Sequence, residues 1–263
     1  MKPFKLLIIL TFLLLPFGFL TFQAYSAAEN PCLTCHVDLK EPAKSVHAPL
    51  SMGCETCHMT VQGKEHPQQK DSIKLTQDMP KLCYGCHDES KFKGQVVHSP
   101  VALGMCRGCH NPHNSKFSKL LISDSPDLCY ICHDKTRFTK KNVHLAISSV
   151  GCSFCHSVHV SNSPFLLPKP IKDVCISCHV AKAKGPHVVA IPGKNHPLSG
   201  VIDPSTQKWI KVPDPKNPKR QIEIPDPNVL GKEMSCASCH DPHSSNYKTL
   251  LTAERICLKC HKY

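Results

Sequence analysis

Every cysteine of the chain obeys one rule. The 18 cysteines form nine C-x-x-C pairs, and a histidine follows each pair at once. The pairs are Cys32/Cys35, Cys54/Cys57, Cys83/Cys86, Cys106/Cys109, Cys129/Cys132, Cys152/Cys155, Cys175/Cys178, Cys236/Cys239 and Cys257/Cys260. Their histidines are His36, His58, His87, His110, His133, His156, His179, His240 and His261. On one helical turn, residues three and four apart share a face, so each motif turns two thiols and an imidazole to the same side. Nine anchors of this kind in 263 residues leave little chain for long elements. The 23 prolines oppose long helices, and one tryptophan with 6% aromatics is thin material for an apolar core. Something other than side chains is expected to fill the interior.

Two thiols so placed match the two vinyl groups of one haem, with the adjacent imidazole on its iron. C-x-x-C-H therefore reads as covalent attachment of c-type haem, and nine haems c are expected. Zinc sites would pair the motifs into fours and need no histidine after each pair. Disulfides need none either.

Nine histidines remain: His47, His66, His98, His113, His144, His159, His187, His196 and His243. They match the number of distal iron positions. Their placement repeats. Motifs start at 83, 106, 129, 152 and 175, and alternate motifs are alike, which gives a period of 46 residues. "LCYGCHDESKFKGQVVHSPVALGMCRGCHNPH" from Leu82 parallels "LCYICHDKTRFTKKNVHLAISSVGCSFCHSVH" from Leu128. His98 and His144 precede the second motif of a unit, and His113 and His159 follow it by three residues. The first unit drifts, with His47 before Cys54 and His66 eight residues after His58. In the fourth, either His187 or His196 is the upstream histidine. Within "MCRGCHNPH", His113 is too close to His110 to cap the same iron. It is expected on a neighbouring haem, with His98 or another repeat histidine serving the haem of Cys106 and Cys109. Met52, Met59, Met79, Met105 and Met234 are alternative ligands that the histidine supply makes unnecessary. The pairs Leu120/Leu121, Leu166/Leu167 and Leu250/Leu251 are expected against porphyrin faces.

The expected fold is mostly irregular with short α-helices, cored by haem, and built of di-haem repeats of 46 residues. Residues 29–196 carry haems one to seven and 236–263 carry haems eight and nine. Between them, 197–235 interrupts the period; "KWIKVPDPKNPKRQIEIPDP" alternates apolar and polar residues around Pro- and Asn-rich turn material, predicting a small β-hairpin near 207–225. Its role is a lid over the last haems or a docking element. Residues 1–28 read as a signal peptide, with Lys2 and Lys5 before the apolar run Leu6–Phe22 and small residues at 26–28. The alternative is an uncleaved anchor, which Pro16 and Gly18 weaken.

The formal charge is +12. Removing Lys2 and Lys5 leaves +10. Each haem adds two propionates against one positive ferric porphyrin core, so nine haems bring the oxidised protein to about +1 and the reduced protein to about −8. The lysines then balance propionates, and no nucleic-acid partner is implied.

Alternating "LCYGCH" and "CRGCHNPH" motifs, with "VVHSPVALG" between them, resemble the multihaem c-type cytochromes with doubled C-x-x-C-H motifs, over essentially the whole mature chain. The resemblance to that family, which includes class III-like carriers and periplasmic subunits of porin–cytochrome conduits, implies bis-histidine haems in a closely spaced chain. It implies electron transfer in the periplasm, at the outer membrane or at the cell surface, in anaerobic or extracellular respiration. Partners would be a quinol-linked donor cytochrome, an outer-membrane porin, a surface cytochrome or a reductase, with membrane association only through the N-terminal segment. Two alternatives stand beside an electron carrier that is not an enzyme. One is a multihaem reductase of nitrogen or sulfur oxyanions, which needs an open iron. The other is a subunit of a haem filament.

Overall fold

The computed structural model describes residues 30–184, 187–188 and 196–261. The expected signal segment, 1–28, lies outside them.

The polypeptide builds almost no apolar interior of its own. Leu167 and Met234 are the buried hydrophobic residues among those described. The chain exposes 21553 Å², against roughly 11,500 Å² for a compact monomer of its mass. Leu103, Leu145 and Phe165 are more than two-thirds exposed.

What is regular is short. The longest described helix is Ile171–Ile176, six residues ending in the seventh motif. The helices Lys81–Tyr84 and Asp127–Tyr130 start motifs three and five in the same way, each directly after a proline. A proline at a helix start lacks only an N–H that has no intrahelical partner anyway. No described helix is long and apolar enough to cross a membrane.

Ten strands are described: β1 (Ser45–Val46), β2 (His58–Thr60), β3 (Ile73–Leu75), β4 (Val96–Val97), β5 (Asn114–Ser115), β6 (Asn142–Val143), β7 (Val160–Ser161), β8 (Trp209–Asp214), β9 (Asn217–Pro225) and β10 (Ser244–Ser245). They pair antiparallel as β1–β5, β2–β3, β4–β7, β6–β10 and β8–β9. β2–β3 and β8–β9 are local hairpins. The other three pairs each join a segment before one motif to a segment after a motif two places further on. The repeats are thus laced together, each to the next, by two-residue strand pairs.

The hairpin expected near 207–225 is β8–β9, turning at 215–216, where Asp214 accepts from the Lys216 amide at 2.8 Å. Ile210 faces Ile224 and Val212 faces Ile222 on its half-buried side. Trp209 is 49% exposed on the other. The base of the insertion is pinned by backbone bonds from Asp203 to Lys232 and from Met234 to Val201, both 2.8 Å.

Candidate haem-binding site

In eight of the nine motifs the histidine amide donates to the carbonyl of the first cysteine, at 2.9–3.1 Å, as in His87 to Cys83 and His110 to Cys106. That is a helical i to i−4 bond. It puts both cysteines and the histidine on one face, the arrangement that the spacing predicts.

The thiols are not equally sheltered. All 18 cysteines are free thiols, in no disulfide. Cys35, Cys86, Cys132 and Cys178, the second cysteines of motifs one, three, five and seven, are exposed, and so is Cys257; the other thirteen are half-buried. The reason is local. In motifs three and five the first cysteine sits inside the short helix, beside a thiol of the next motif. The second, Cys86 or Cys132, lies past the helix end within an exposed run, 85–91 or 131–137. Cys35 and Cys178 lie in the similar exposed runs 34–38 and 177–180. A thioether uses one side of the sulfur, so exposure on the other is compatible with attachment.

The remaining histidines come to meet the motif faces. His36 stacks opposite His66 at 6.3 Å between ring centres, His47 opposite His87 at 6.1 Å and His58 opposite His113 at 6.0 Å. His98 faces His133 at 6.2 Å, His110 faces His159 at 6.0 Å and His144 faces His179 at 6.1 Å. His156 faces His243 at 6.0 Å, His187 faces His240 at 5.8 Å and His196 faces His261 at 6.3 Å. Every motif histidine has one partner from the other nine, and no partner is used twice. Imidazole nitrogens bind a first-row metal at about 2.0–2.1 Å, and each stands roughly 1.1 Å from its ring centre, so two axial imidazoles on one iron hold their centres about 6.3 Å apart. The spacing and the donor chemistry both fit a six-coordinate haem iron.

Pairing follows a pattern that spacing alone left open. His113 faces His58, two motifs back rather than on an adjacent motif. The histidine opposite His110 is His159, and His98 instead faces His133. His187 and His196 do not compete, because one faces His240 and the other His261. No methionine is needed as a ligand. Met52 and Met105 stand 70% and 54% exposed, while Met234 is buried.

The outer nitrogens of several of these rings are tied to backbone carbonyls. His110 Nδ1 pairs with the Lys119 carbonyl at 2.9 Å, His156 Nδ1 with Phe165 at 2.8 Å and His240 Nδ1 with Thr249 at 2.7 Å. On the opposing side, His47 Nδ1 pairs with the Pro112 carbonyl at 2.8 Å and His98 Nδ1 with Val158 at 2.9 Å. Such a bond places the proton on Nδ1 and leaves Nε2 as the metal-binding lone pair.

Those carbonyls are aimed by an unusual turn. Lys119, Phe165 and Thr249 have φ of 59°, 60° and 53°, and the leucines after them, Leu120, Leu166 and Leu250, have φ of 58°, 57° and 60°. Two consecutive non-glycine residues in the left-handed region cost about 1–2 kcal/mol each, and something must hold them there. The serines Ser115, Ser161 and Ser245 do so. Each hydroxyl donates to the carbonyl of Leu121, Leu167 or Leu251 and accepts from the amide of Phe117, Ser163 or Tyr247. Sequence reasoning missed both devices. Their signal was the recurrence of a serine five residues after the motif histidine, with the leucine pair further on.

The motifs also lie near one another in sequence order. The first cysteines of motifs one and two, three and four, five and six, and seven and eight interact directly: Cys32 with Cys54, Cys83 with Cys106, Cys129 with Cys152, Cys175 with Cys236. Cys57 interacts with Cys83, Cys109 with Cys132, Cys155 with Cys178 and Cys239 with Cys260, which bridge each even motif to the next odd one. Burial and the neighbouring thiol push Cys83 and Cys129 up to about 11. The hydrogen bond between Cys175 and Cys236 raises the first and lowers the second to about 6. Burial lowers His113, His159, His187 and His243, favouring the neutral imidazole that binds metal.

A comparison with curated proteins finds no match. The doubled CXXCH motif family matches four stretches, residues 47–92, 98–138, 144–184 and 229–263. Each holds two motifs, which indicates covalently bound haem c at about eight sites; the Cys32/Cys35 motif lies outside the matches. Covering more than half of the sequence with the motifs whose thiols and imidazoles converge as described, they establish that the chain belongs to the doubled CXXCH motif family of multihaem c-type cytochromes.

Proposed function

We propose that the protein is a nonahaem c-type cytochrome that carries electrons along a row of bis-histidine haems. One observation carries the reading: the nine motif histidines and the nine others form nine exclusive ring pairs at 5.8–6.3 Å. Bound haem c supplies a one-electron ferric/ferrous couple. The paired cysteines would hold it, the paired imidazoles would bind its iron, and the Nδ1 bonds to carbonyls would raise their basicity. Without methionine, low potentials follow. The scarcity of buried side chains supports a core formed by porphyrin.

The paired first cysteines of motifs one and two, three and four, five and six, and seven and eight, together with the electrostatic influence of each even motif's second cysteine on the next odd motif, support a row in sequence order. Chemistry on a substrate at a metal needs an open position, and the full complement of axial imidazoles favours a carrier over a reductase. It also favours a self-sufficient chain over a filament subunit that borrows a ligand. We place it, exported, in the periplasm or at the outer membrane, between a quinol-linked donor and a porin, surface cytochrome or reductase.

The test is mass spectrometry of the matured protein with ferric EPR. Nine covalent haems, wholly low-spin, that take up no carbon monoxide on reduction are expected. A high-spin iron in the intact chain would overturn the bis-histidine carrier in favour of a reductase.

A further inference from the structure

The nine ring pairs follow a rule with two exceptions. Odd motifs three, five, seven and nine receive the histidine that precedes the motif before them: His47 to His87, His98 to His133, His144 to His179, His196 to His261. Even motifs two, four and six receive the histidine three residues after the motif two places on: His113 to His58, His159 to His110, His243 to His156. Exchange is therefore mutual between neighbouring repeats, and strands seal it. The His47 amide donates to the His113 carbonyl at 2.8 Å, His98 to His159 at 2.9 Å and His144 to His243 at 2.8 Å, beside β1–β5, β4–β7 and β6–β10.

Motifs one and eight fall outside the rule. Motif one faces a histidine that follows it by thirty residues, not one that precedes a motif before it. Motif eight faces a histidine that precedes it, not one that follows a motif two places on. His66 and His187 take these two places. Neither belongs to a strand that laces repeats. His66 is held within the β2–β3 hairpin by a 3.1 Å contact of its Nδ1 with Ser72 Oγ. The Nδ1 of His187 is buried without a hydrogen-bond partner. The position that supplies exchanged ligands after motifs four, six and eight holds Val61 after motif two.

Resting on the bis-histidine reading, we propose that His66 and His187 are end caps, ligands outside the repeat that satisfy the two haems at which exchange stops, and that the interior between them is modular and extends by whole two-haem units. An inserted interior unit takes one ligand from each neighbour and returns one to each, leaving no iron short.

The experiment has three arms. Wild-type protein, wholly low-spin, establishes the underlying reading; a high-spin iron there would sink that reading by itself. A chain with residues 98–143 duplicated should mature with two more haems than wild type and remain wholly low-spin, taking up no carbon monoxide. A high-spin haem in it would overturn modular exchange. His66→Ala and His187→Ala should each convert one haem to high-spin, bind one carbon monoxide per chain when reduced, and return to low-spin with added imidazole. For His187→Ala the signal should vanish when Cys236 and Cys239 are also replaced by alanine. Variants that stay low-spin overturn the caps, and these two substitutions decide the matter if the duplicated chain fails to mature.

Discussion

His113 lies 6.0 Å from His58, ring to ring, and not against His110, its neighbour in "CHNPH". Its carbonyl accepts the amide of His47, whose own ring faces His87. One residue thus reaches two motifs, by side chain and by backbone. His113→Ala should leave the iron of Cys54 and Cys57 with a single imidazole. One high-spin ferric signal is expected by EPR. It should disappear when Cys54 and Cys57 are also replaced by alanine and persist when Cys106 and Cys109 are replaced instead. The opposite pattern would refute the assignment.

On the proposed ligation, the Lys119 carbonyl tunes a haem iron through His110. Its carbonyl holds His110 Nδ1 at 2.9 Å because its φ is 59°. Proline cannot take a positive φ, so Lys119→Pro should break this bond, while Lys119→Gly should keep it. A less basic imidazole stabilises the ferric state less, and each tenfold loss is about 59 mV for a one-electron couple. Spectroelectrochemistry should show one potential raised by tens of millivolts in the proline variant, and none moved in the glycine variant.

Asp203 fastens the insertion to the last two motifs. It is 3% exposed, accepts from Ser205 and Ser238, and lies 3.8 Å from Cys260 Sγ. Burial raises its pKa, but these hydrogen bonds outweigh burial and leave it below the usual carboxylate value. Its contribution to stability is therefore complete above the unfolded value of about 3.9 and lost as pH falls through the folded value. Asp203→Ala should cost about 1–2 kcal/mol at neutral pH. Thermal unfolding should show that gap closing below about pH 4; a gap that widens in acid would contradict the sign.

The β8–β9 hairpin bonds to the rest mainly at its base, around Asp203, Lys208 and Asp226, where the Asp226 amide donates to Lys208 at 2.8 Å. Replacing residues 209–225 by a short Gly-Ser loop should leave haem number and the low-spin spectrum unchanged. If the hairpin docks a partner, only electron exchange with that partner slows. A haem lost or turned high-spin would mark it as a lid.

The motifs and the set of histidines that meet them were legible because covalent attachment restricts residue type and spacing. The pairing was not, since it depends on which repeats lie side by side. His98 stands closer in sequence to His110 than to His133 but faces the latter. Only the two-residue strands reveal the neighbour, and strands so short leave no periodic signature. The exposure of Cys35 and Cys86 was equally hidden, because the motif is the same whether or not the chain folds back over its second thiol. The left-handed pairs Lys119–Leu120 and Phe165–Leu166 escaped notice for a related reason. They contain no glycine or asparagine, and a serine five residues after the motif histidine imposes their conformation. The β8–β9 hairpin was readable because its two arms are long enough to alternate.

Mutual ligand donation also sets a timetable. On the proposed ligation, a haem joined to Cys54 and Cys57 waits for residue 113 before its iron is closed, and one joined to Cys152 and Cys155 waits for residue 243. The haems of motifs three, five, seven and nine, served from upstream, close as soon as they are attached. Maturation from the N-terminus would therefore pass through intermediates in which the newest of haems two, four and six is five-coordinate, while the first waits only for residue 66. A truncated or stalled chain would carry its lesion at its growing end.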